Sequence, residues 1–209
     1  MNTPVMTVNG QAITRFELTN AMQEYALQLH EKPVAELAEA DQEQVRDTAV
    51  EKLLVWELIY QSSLEDGKKV AEADLDREID KIAEQFPNRE VMIQTLGEAG
   101  VEIELLQRSL SREMLVEGIF QQWFDDSPEP TGDEVDQEYA KYVDSRKAME
   151  EGDGPDPEGE ALSREEAEPM IRSACRQRSG VERIRAWVGE LREGAEIEFM
   201  NDETDGVED

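Results

Sequence analysis

Apolar residues recur at helical spacing along most of this chain, and one long stripe lies between residues 42 and 64. One face of that segment carries Val45, Ala49, Leu53, Trp56 and Tyr60. A second stripe, wrapped by further apolar residues, lies between residues 102 and 124 and carries Ile103, Leu106, Leu110 and Met114. A repeat of about 3.6 residues places such positions on one side of a helix. The pattern therefore predicts two long, well-buried helices.

Helix start signals divide the rest of the chain into further helices. Three capping boxes, in which Glu follows Ser or Thr by three residues, occur at Thr14–Glu17, Thr131–Glu134 and Ser163–Glu166. The hydroxyl and the carboxylate can satisfy backbone N–H groups that a helix N-terminus leaves unpaired. Asp74 is expected to cap one more helix, which Pro87 ends. The first helix is predicted to run to about His30.

Two short segments at opposite ends of the chain predict strands. Val5–Val8 alternates apolar and polar residues and meets Asn9-Gly10, a dipeptide suited to a tight turn. Ala195–Phe199 alternates in the same way. Two isolated strands would each leave backbone groups unpaired, and pairing with each other removes that cost. We therefore predict a mostly α fold, a multi-helix module with a minor two-stranded sheet that joins the N- and C-terminal strands.

A change in composition places a boundary inside the chain. The region from 144 to 162 includes an acidic run rich in Gly and Pro, with no apolar side chain between 150 and 160. Such a run is typical of a solvated linker. The sequence thus predicts a helical region over 1–143, a linker over 144–162, a helix and strand over 163–200 that pack back on the first region, and a frayed acidic tail over 201–209.

The net charge of the chain disfavours some classes of binding partner. The chain has 51 acidic and 21 basic side chains and a formal net charge of −30. Nucleic acid and anionic membranes are disfavoured, because binding to phosphate requires clustered Lys and Arg. The acidity itself indicates solubility or adaptation to salt more than selection of one basic partner. No apolar run approaches the roughly 20 residues that span a bilayer, so direct membrane insertion is not expected.

The residues that usually carry enzymatic chemistry are scarce. Cys175 and His30 are the only residues of their types, which excludes intrachain disulfides, CxxC pairs and histidine-pair metal sites. Acidic pairs such as Asp125-Asp126 point in different directions on a helix. The acidic loops at 153–158 and 202–206 lack the ligand spacing of a calcium site, and no phosphate-binding glycine loop occurs. We predict no catalytic residue, no metal, no cofactor and no enzymatic activity.

Several of these segments resemble the SurA family of chaperones, which carry parvulin-type prolyl isomerases. The matching sequence segments are VNGQAITRFEL at 8–18, AVEKLL at 49–54 and LLQRSL at 105–110. The resemblance covers roughly residues 5–142. IRAWVGELREGAEI at 184–197 resembles the helix and strand that return to complete the family's N-terminal module. In the family an isomerase domain usually separates the two parts. Here the gap is only 144–162, so the resemblance implies a chaperone without isomerase activity.

The resemblance implies a holdase that works without ATP and binds unfolded or extended polypeptides, outer-membrane proteins among them. We expect an apolar groove between the long helices, lined by adaptable side chains: Met22, Tyr25, Met92, Met114, Phe120 and Trp123. For any single one of these, a place in the core is the simpler interpretation.

The same resemblance indicates a location, and the predicted linker indicates a possible form of assembly. The first residues lack the basic and apolar regions of a secretion signal, but the family favours the periplasm over the cytoplasm. The linker permits a homodimer that swaps the C-terminal helix. The alternative function is an acidic helical adaptor that docks one folded basic partner through charge.

Overall fold

The structure is a computed structural model that describes residues 3–150 and 161–200. Its described part contains one short 3-10 helix at Val34–Glu36, three strands and seven α-helices. The strands are β1 Pro4–Val8, β2 Gln11–Thr14 and β3 Ile197–Phe199. The helices are α1 Arg15–His30, α2 Glu39–Glu65, α3 Glu72–Ala83, α4 Arg89–Glu98, α5 Ile103–Asp125, α6 Gly132–Glu150 and α7 Arg164–Glu193. The predicted mostly α class is confirmed.

The small sheet joins both ends of the described chain, as the sequence predicted. Its order is β2-β1-β3, and both pairings are antiparallel. Thr7 lies opposite Glu198, and Val8 lies opposite Ile197. The sheet has three strands where two were expected, because residues 11–14 form β2 before α1 begins. Their sequence, QAIT, is too short to show a clear period of two.

Asn9 and Gly10 form the turn between β1 and β2 with positive φ angles of 51° and 77°. Asn tolerates this left-handed region better than most residues, and Gly adopts it without steric cost. Asn9 also reaches the third strand. Its backbone N–H donates to Glu196 O, and its side-chain Oδ1 accepts from Glu196 N, both at 2.8 Å. One turn residue therefore aligns all three strands.

Capping boxes begin three of the helices. At Thr14 both halves are formed, since Glu17 N–H donates to the Thr14 hydroxyl and the Glu17 carboxylate accepts from the Thr14 backbone. Thr131 and Ser163 form equivalent hydrogen bonds to the Glu three residues ahead. The expected cap at Asp74 is wrong. The helix begins earlier, at Glu72, and Asp74 lies inside its first turn, where its N–H donates to Ala71 O.

The described residues form two compact units. Unit 1 comprises the residues up to Gly118 together with those from Val188 onward, and unit 2 comprises 119–187. The core of unit 1 joins the sheet to α1 and α2, and its buried members are Met6, Val8, Ile13, Leu18, Ala21, Ala49, Leu53, Leu54 and Leu58. Leu191 and Ile197 pack against this core, so the C-terminal helix and strand contribute to unit 1.

Unit 2 has a smaller core. Val135, Ala167 and Ile171 are buried together, and Cys175 is half-buried against them. In the same unit α5 and α7 come close. Trp123 stacks on Trp187 with ring centroids 5.1 Å apart. The close approach requires Gly180, because a Cβ there would lie 2.5 Å from the Phe124 ring.

Two sequence predictions fall wholly or partly outside the described residues. The linker predicted over 144–162 includes 151–160, and the predicted tail covers 201–209. The division into 1–143, 144–162, 163–200 and 201–209 therefore stays a prediction. Across 3–150 and 161–200, no helix combines the length and apolar character needed to cross a membrane.

Replacing Gly180 with Ala should destabilise unit 2. Overpacking by the added methyl group costs about 1–3 kcal/mol. The higher helix propensity of Ala offsets up to about 1 kcal/mol of this cost, so the free energy of unfolding should fall by about 1 kcal/mol. Gly189 is the matched control in the same helix. A Cβ there meets nothing within 4 Å, and Gly189→Ala should stabilise by about 0.5–1 kcal/mol. Urea unfolding measures both variants. Equal effects would contradict the close approach at Gly180.

Candidate functional site

A buried arginine connects three helices of unit 1. Arg112 on α5 donates from Nη2 to Glu17 Oε1 on α1 at 2.7 Å and from Nη1 to Glu57 Oε2 on α2 at 3.0 Å. The side chains of Arg112 and Glu17 are each 4% exposed, and that of Glu57 is 0% exposed. Water cannot hydrate these charges, so each depends on its protein partners.

Both carboxylates accept further hydrogen bonds. Glu57 Oε1 accepts from Gln61 Nε2 at 2.7 Å and from Arg108, one turn before Arg112 on α5. Glu17 accepts from Ser109 and also completes the capping box at Thr14. Two guanidinium groups thus balance two carboxylates. Because the total charge of the group is close to zero, its burial is far less costly than that of an unpaired ion.

This charged network extends to the sheet. Gln61 Nε2 also donates to Val8 O at 2.9 Å, and Gln61 Oε1 accepts from Asn9 Nδ2 at 2.9 Å. Asn9 in turn bonds to Glu196 before β3. A continuous series of hydrogen bonds therefore runs from α5 through α2 to the strand that ends the described chain.

This network was not predicted from the sequence, although the sequence contains one signal for it. Glu57 interrupts an otherwise apolar run from Leu53 to Tyr60. A charged residue on the buried side of a helix requires a partner of opposite charge. Arg108 and Arg112 on the other long stripe are spaced by four residues and lie on one face of a helix. The pairing between the two helices could not be read from either stripe alone.

A cavity of about 190 Å³ lies beside the network, where α1, α2 and α5 meet. We call it the three-helix cavity. Its apolar lining residues are Phe16, Ala21, Leu53, Trp56, Leu106 and Leu110. Its polar lining residues are Glu17, Asn20, Glu24, Lys52, Ser109, Arg112 and Glu113. The cavity thus combines an apolar and aromatic interior with charged groups of both signs.

The charges around the three-helix cavity are unevenly matched. Lys52 donates to both oxygens of Glu24 at 3.0 Å, and its Nζ lies 4.5 Å from the Trp56 ring centroid. Lys52 and Arg112 also act on Glu113, but each lowers its pKa by less than burial or the charge of Glu117 raises it. Loss of hydration raises the pKa of Glu113 above its ordinary value, and the neighbouring carboxylate of Glu117 raises it further.

This arrangement is suited to non-covalent binding of an apolar group. Ser109, the hydroxyl in the cavity lining, donates to Glu17 and has no histidine beside it to act as a base. In the described ranges, no three or more His, Cys, Asp and Glu side chains are grouped so that they could hold a metal ion. The surface that the cavity offers is mostly aliphatic and aromatic, as in sites that bind through burial of apolar area.

Unit 2 contains a second cavity, of about 410 Å³, between the end of α5 and the first half of α7. Arg172 and Arg176 line it, but both already have partners. Arg172 donates to Pro130 O at 2.8 Å, and Arg176 forms an ion pair with Glu129 at 3.0 Å. These arginines hold the segment after α5 in place, which gives them a structural role.

The six residues predicted for a client groove are dispersed. Met22 and Tyr25 on α1 are half-buried against the unit 1 core, and Met92 is 0% exposed on α4. Met114 is half-buried on α5. Phe120 and Trp123 belong to unit 2, where Trp123 stacks on Trp187. None of the six lines the three-helix cavity, and the groove they were expected to form stays a prediction.

One comparison with known proteins identifies a family, and a second identifies a similar fold. The model of the SurA-like N-terminal domain matches residues 1–120. A solved structure from a study of two SurA-like chaperones of Campylobacter jejuni, the virulence factor PEB4 and the periplasmic protein Cj1289, aligns with a TM-score of 0.51. The alignment covers 96% of this chain and 100% of the other, at 11% sequence identity. At that identity the likeness shows the fold alone. No curated protein matches this sequence.

Replacing Arg112 with Ala should destabilise unit 1 severely. The change leaves Glu17 and Glu57 buried without their shared cation, and breaking a buried pair costs about 3–5 kcal/mol. Arg192→Ala is the matched control, because Arg192 pairs with Glu51 on the surface, where the two side chains are 44% and 55% exposed. That pair should contribute less than about 1 kcal/mol. Denaturant unfolding compares them, and similar losses would contradict a central role for Arg112.

Glu113→Gln should stabilise the protein at neutral pH. The folded state raises the pKa of Glu113 above its ordinary value of 4.5. Ionisation of Glu113 therefore lowers the free energy of unfolding as the pH rises from the ordinary pKa to the raised one. The gain should be present at pH 7 and absent below about pH 4. Because water screens the charge of Glu113, the gain in free energy of unfolding should be only about a few tenths of a kcal/mol.

Urea unfolding at the two pH values tests this effect of Glu113. Glu43→Gln, on the exposed surface of α2, controls for the change in net charge. A Glu113→Gln gain that persists unchanged at low pH would contradict the assignment.

Proposed function

The chain belongs to the SurA-like N-terminal domain family, and on that premise we propose that it is a chaperone that holds unfolded or extended polypeptides without ATP. The observation that carries the proposal is the three-helix cavity. All the residues that line it lie between Phe16 and Glu113, inside the stretch that the family model matches. The part of the chain that identifies the family is thus also the part that offers an apolar binding surface.

The cavity supports binding of apolar client side chains. Burial of apolar area contributes about 25 cal/mol per Å², so one side chain in a small cavity gives only weak affinity. A holdase needs this weakness, because several weak contacts along an extended client can release one at a time. No nucleotide is required for release. Folding of the client or its transfer to another protein removes the apolar segments that the chaperone binds.

Charge supports the same role. The net charge of −30 keeps the protein soluble while apolar surface is exposed. Large apolar side chains at the surface of unit 1 include Leu27, Leu29 and Phe199, which are 50%, 55% and 62% exposed. Leu27 and Leu29 are two positions apart, so they point to different sides of α1, and Phe199 lies on β3.

We extend the proposal to location and clients. The related protein Cj1289 is described as periplasmic, and we place this chain in the periplasm with cell-envelope proteins, outer-membrane proteins among them, as its clients. We also propose that it lacks prolyl isomerase activity. Met22, Tyr25, Met92, Met114, Phe120 and Trp123 remain candidates for further client contacts. Exchange of the C-terminal helix between two copies remains the proposed route to a dimer.

The proposal predicts suppression of aggregation that survives salt. Light scattering would follow several chemically unfolded client proteins with and without this protein. At about 0.5 M salt the Debye length is about 4 Å, so binding through burial should persist while binding through surface charge should be lost. Complete loss of protection at that salt concentration would contradict the holdase and favour an acidic adaptor for one basic partner.

Leu110→Gln provides the variant for this assay. Leu110 lines the three-helix cavity, and loss of about 1 kcal/mol of apolar burial should weaken protection roughly fivefold. Leu64→Gln is the matched control, because Leu64 is 44% exposed on α2 and lines neither of the two cavities described above. Circular dichroism establishes that both variants fold. Equal protection by the two variants would contradict the cavity as the client site.

A further inference from the structure

The small sheet has a free edge at β3. The strand order is β2-β1-β3, so β3 pairs with β1 on one side and with no other described strand. On the β1 side, Glu196 O accepts a hydrogen bond at 2.8 Å, and Met200 N–H donates one at 3.0 Å. Successive residues of an antiparallel strand direct their backbone groups to opposite sides. Ile197 and Phe199 therefore direct their N–H and C=O groups away from β1, toward the free edge.

One face of this edge offers an apolar ring. Phe199 lies opposite Met6, so its side chain is on the face of the sheet that faces the core. Met6 is 1% exposed there, whereas Phe199 is 62% exposed. Neighbouring strands lie about 4.8 Å apart, so a fourth strand would place a side chain directly beside the Phe199 ring. An apolar side chain in that position would bury area on both partners.

The opposite face of the edge is acidic. Glu198 lies opposite Thr7, one position from Phe199, so it points away from the core. It is exposed, and its carboxylate forms no ion pair with another described residue. Residues of opposite charge stabilise a pair of strands when they lie side by side, and like charges destabilise it. The residue beside Glu198 on a fourth strand should therefore be Lys or Arg.

Charge distinguishes three candidates for this fourth strand. Full pairing of β3 with β3 of a second copy would place Glu198 opposite its own equivalent, and each copy has a formal net charge of −30. Residues 201–209 contain five acidic side chains and no basic one, so they would be repelled in the same way. An extended client segment that alternates apolar and basic residues would place apolar groups beside Phe199 and cations beside Glu198. Charge complementarity therefore favours the client.

We propose that the free edge of β3 binds extended client segments of alternating apolar and basic residues, which join the sheet as a fourth, antiparallel strand. This rests on the proposed chaperone function and adds a second client surface to the three-helix cavity. Backbone hydrogen bonds provide affinity for many sequences, and the alternating side chains provide selectivity. The antiparallel direction is the more stable one per residue. In that direction the client residue opposite Phe199 exchanges both backbone hydrogen bonds with it and lies on the same face.

Two peptides of equal composition and charge test this geometry with the intact chain. Both are short and alternate Val and Lys, and they carry the same number of backbone N-methyl groups, on Val in one and on Lys in the other. The Val residues lie opposite Ile197 and Phe199, so their N–H groups donate to β3. Methylation of Val should therefore weaken binding about tenfold or more relative to methylation of Lys. Fluorescence anisotropy measures both dissociation constants. Affinities within about twofold, or the reverse order, would overturn the proposal.

A pair of variants tests the edge from the side of the protein. Phe199→Pro removes an N–H group that points away from β1, an orientation in which edge strands tolerate Pro. Phe199→Ala is the matched control, because both variants lose the ring. Phe199→Pro should bind the unmethylated Val-Lys peptide about fivefold more weakly than Phe199→Ala does. Equal affinities of two folded variants would overturn the edge as the site. If circular dichroism shows that Phe199→Pro does not fold, the methylated peptides decide.

A reversal of charge tests the selectivity. Glu198→Lys should reduce the preference for the Val-Lys peptide over a Val-Glu peptide about threefold or more. Glu43→Lys, on the exposed surface of α2, changes the net charge equally and should reduce the preference by less than about twofold. Equal effects of the two variants would overturn the pairing with Glu198.

The remaining outcomes separate the edge from its rivals and from the proposed function. Peptide binding only after truncation at Met200 would assign the edge to residues 201–209 and overturn the client. A dimer that Phe199→Pro dissociates and the Val-Lys peptide does not would assign it to a second copy. Suppression of aggregation without binding of any of these peptides would overturn the edge and leave the holdase standing. Binding in the expected order without suppression of aggregation would overturn the proposed function alone.

Discussion

The structure of unit 1 depends on one buried cation. Arg112 comes from α5, and its two carboxylate partners come from α1 and α2. With Arg108 the network has two cations and two carboxylates, so removing any one of the three charges leaves the buried group with a net charge. Apolar burial alone would tolerate small shifts of the helices along one another. The fork of a guanidinium group does not, because its N–H groups point in fixed directions. The charges therefore fix the relative positions of helices that the apolar core brings together.

That constraint also shapes the three-helix cavity. Glu17 and Arg112 belong both to the network and to the lining, and Leu53 belongs both to the apolar core and to the lining. A cavity between three helices would usually shrink as side chains adjust, since interiors tend toward dense packing. Here the helices are held by hydrogen bonds on one side of the cavity. The binding surface is thus part of the framework and does not depend on a mobile loop.

Much of this fold could be predicted from the sequence, because its signals are local. The Thr14 capping box, the Asn9-Gly10 turn and the stripe from Val45 to Tyr60 each depend on neighbouring residues. The pairing of the terminal strands was predictable because each strand alone would leave backbone N–H and C=O groups without hydrogen-bond partners. The site was harder to predict. Met92 follows the same spacing as a groove residue would, and only the packing of α4 shows that it is buried. The two arginine partners of Glu57 lie 51 and 55 residues away, beyond the reach of any local pattern.

The pairing of β1 with β3 has a consequence for biosynthesis. Asn9 and Glu196 are 187 residues apart, yet each is a hydrogen-bond partner of the other. Contacts of such long sequence separation are slow to form, because a large loop must close first. A ribosome also delivers β1 long before β3. During most of translation the N-terminal hairpin therefore exposes the edge that β3 later covers, and the nascent chain itself resembles the unfolded polypeptides that a holdase binds.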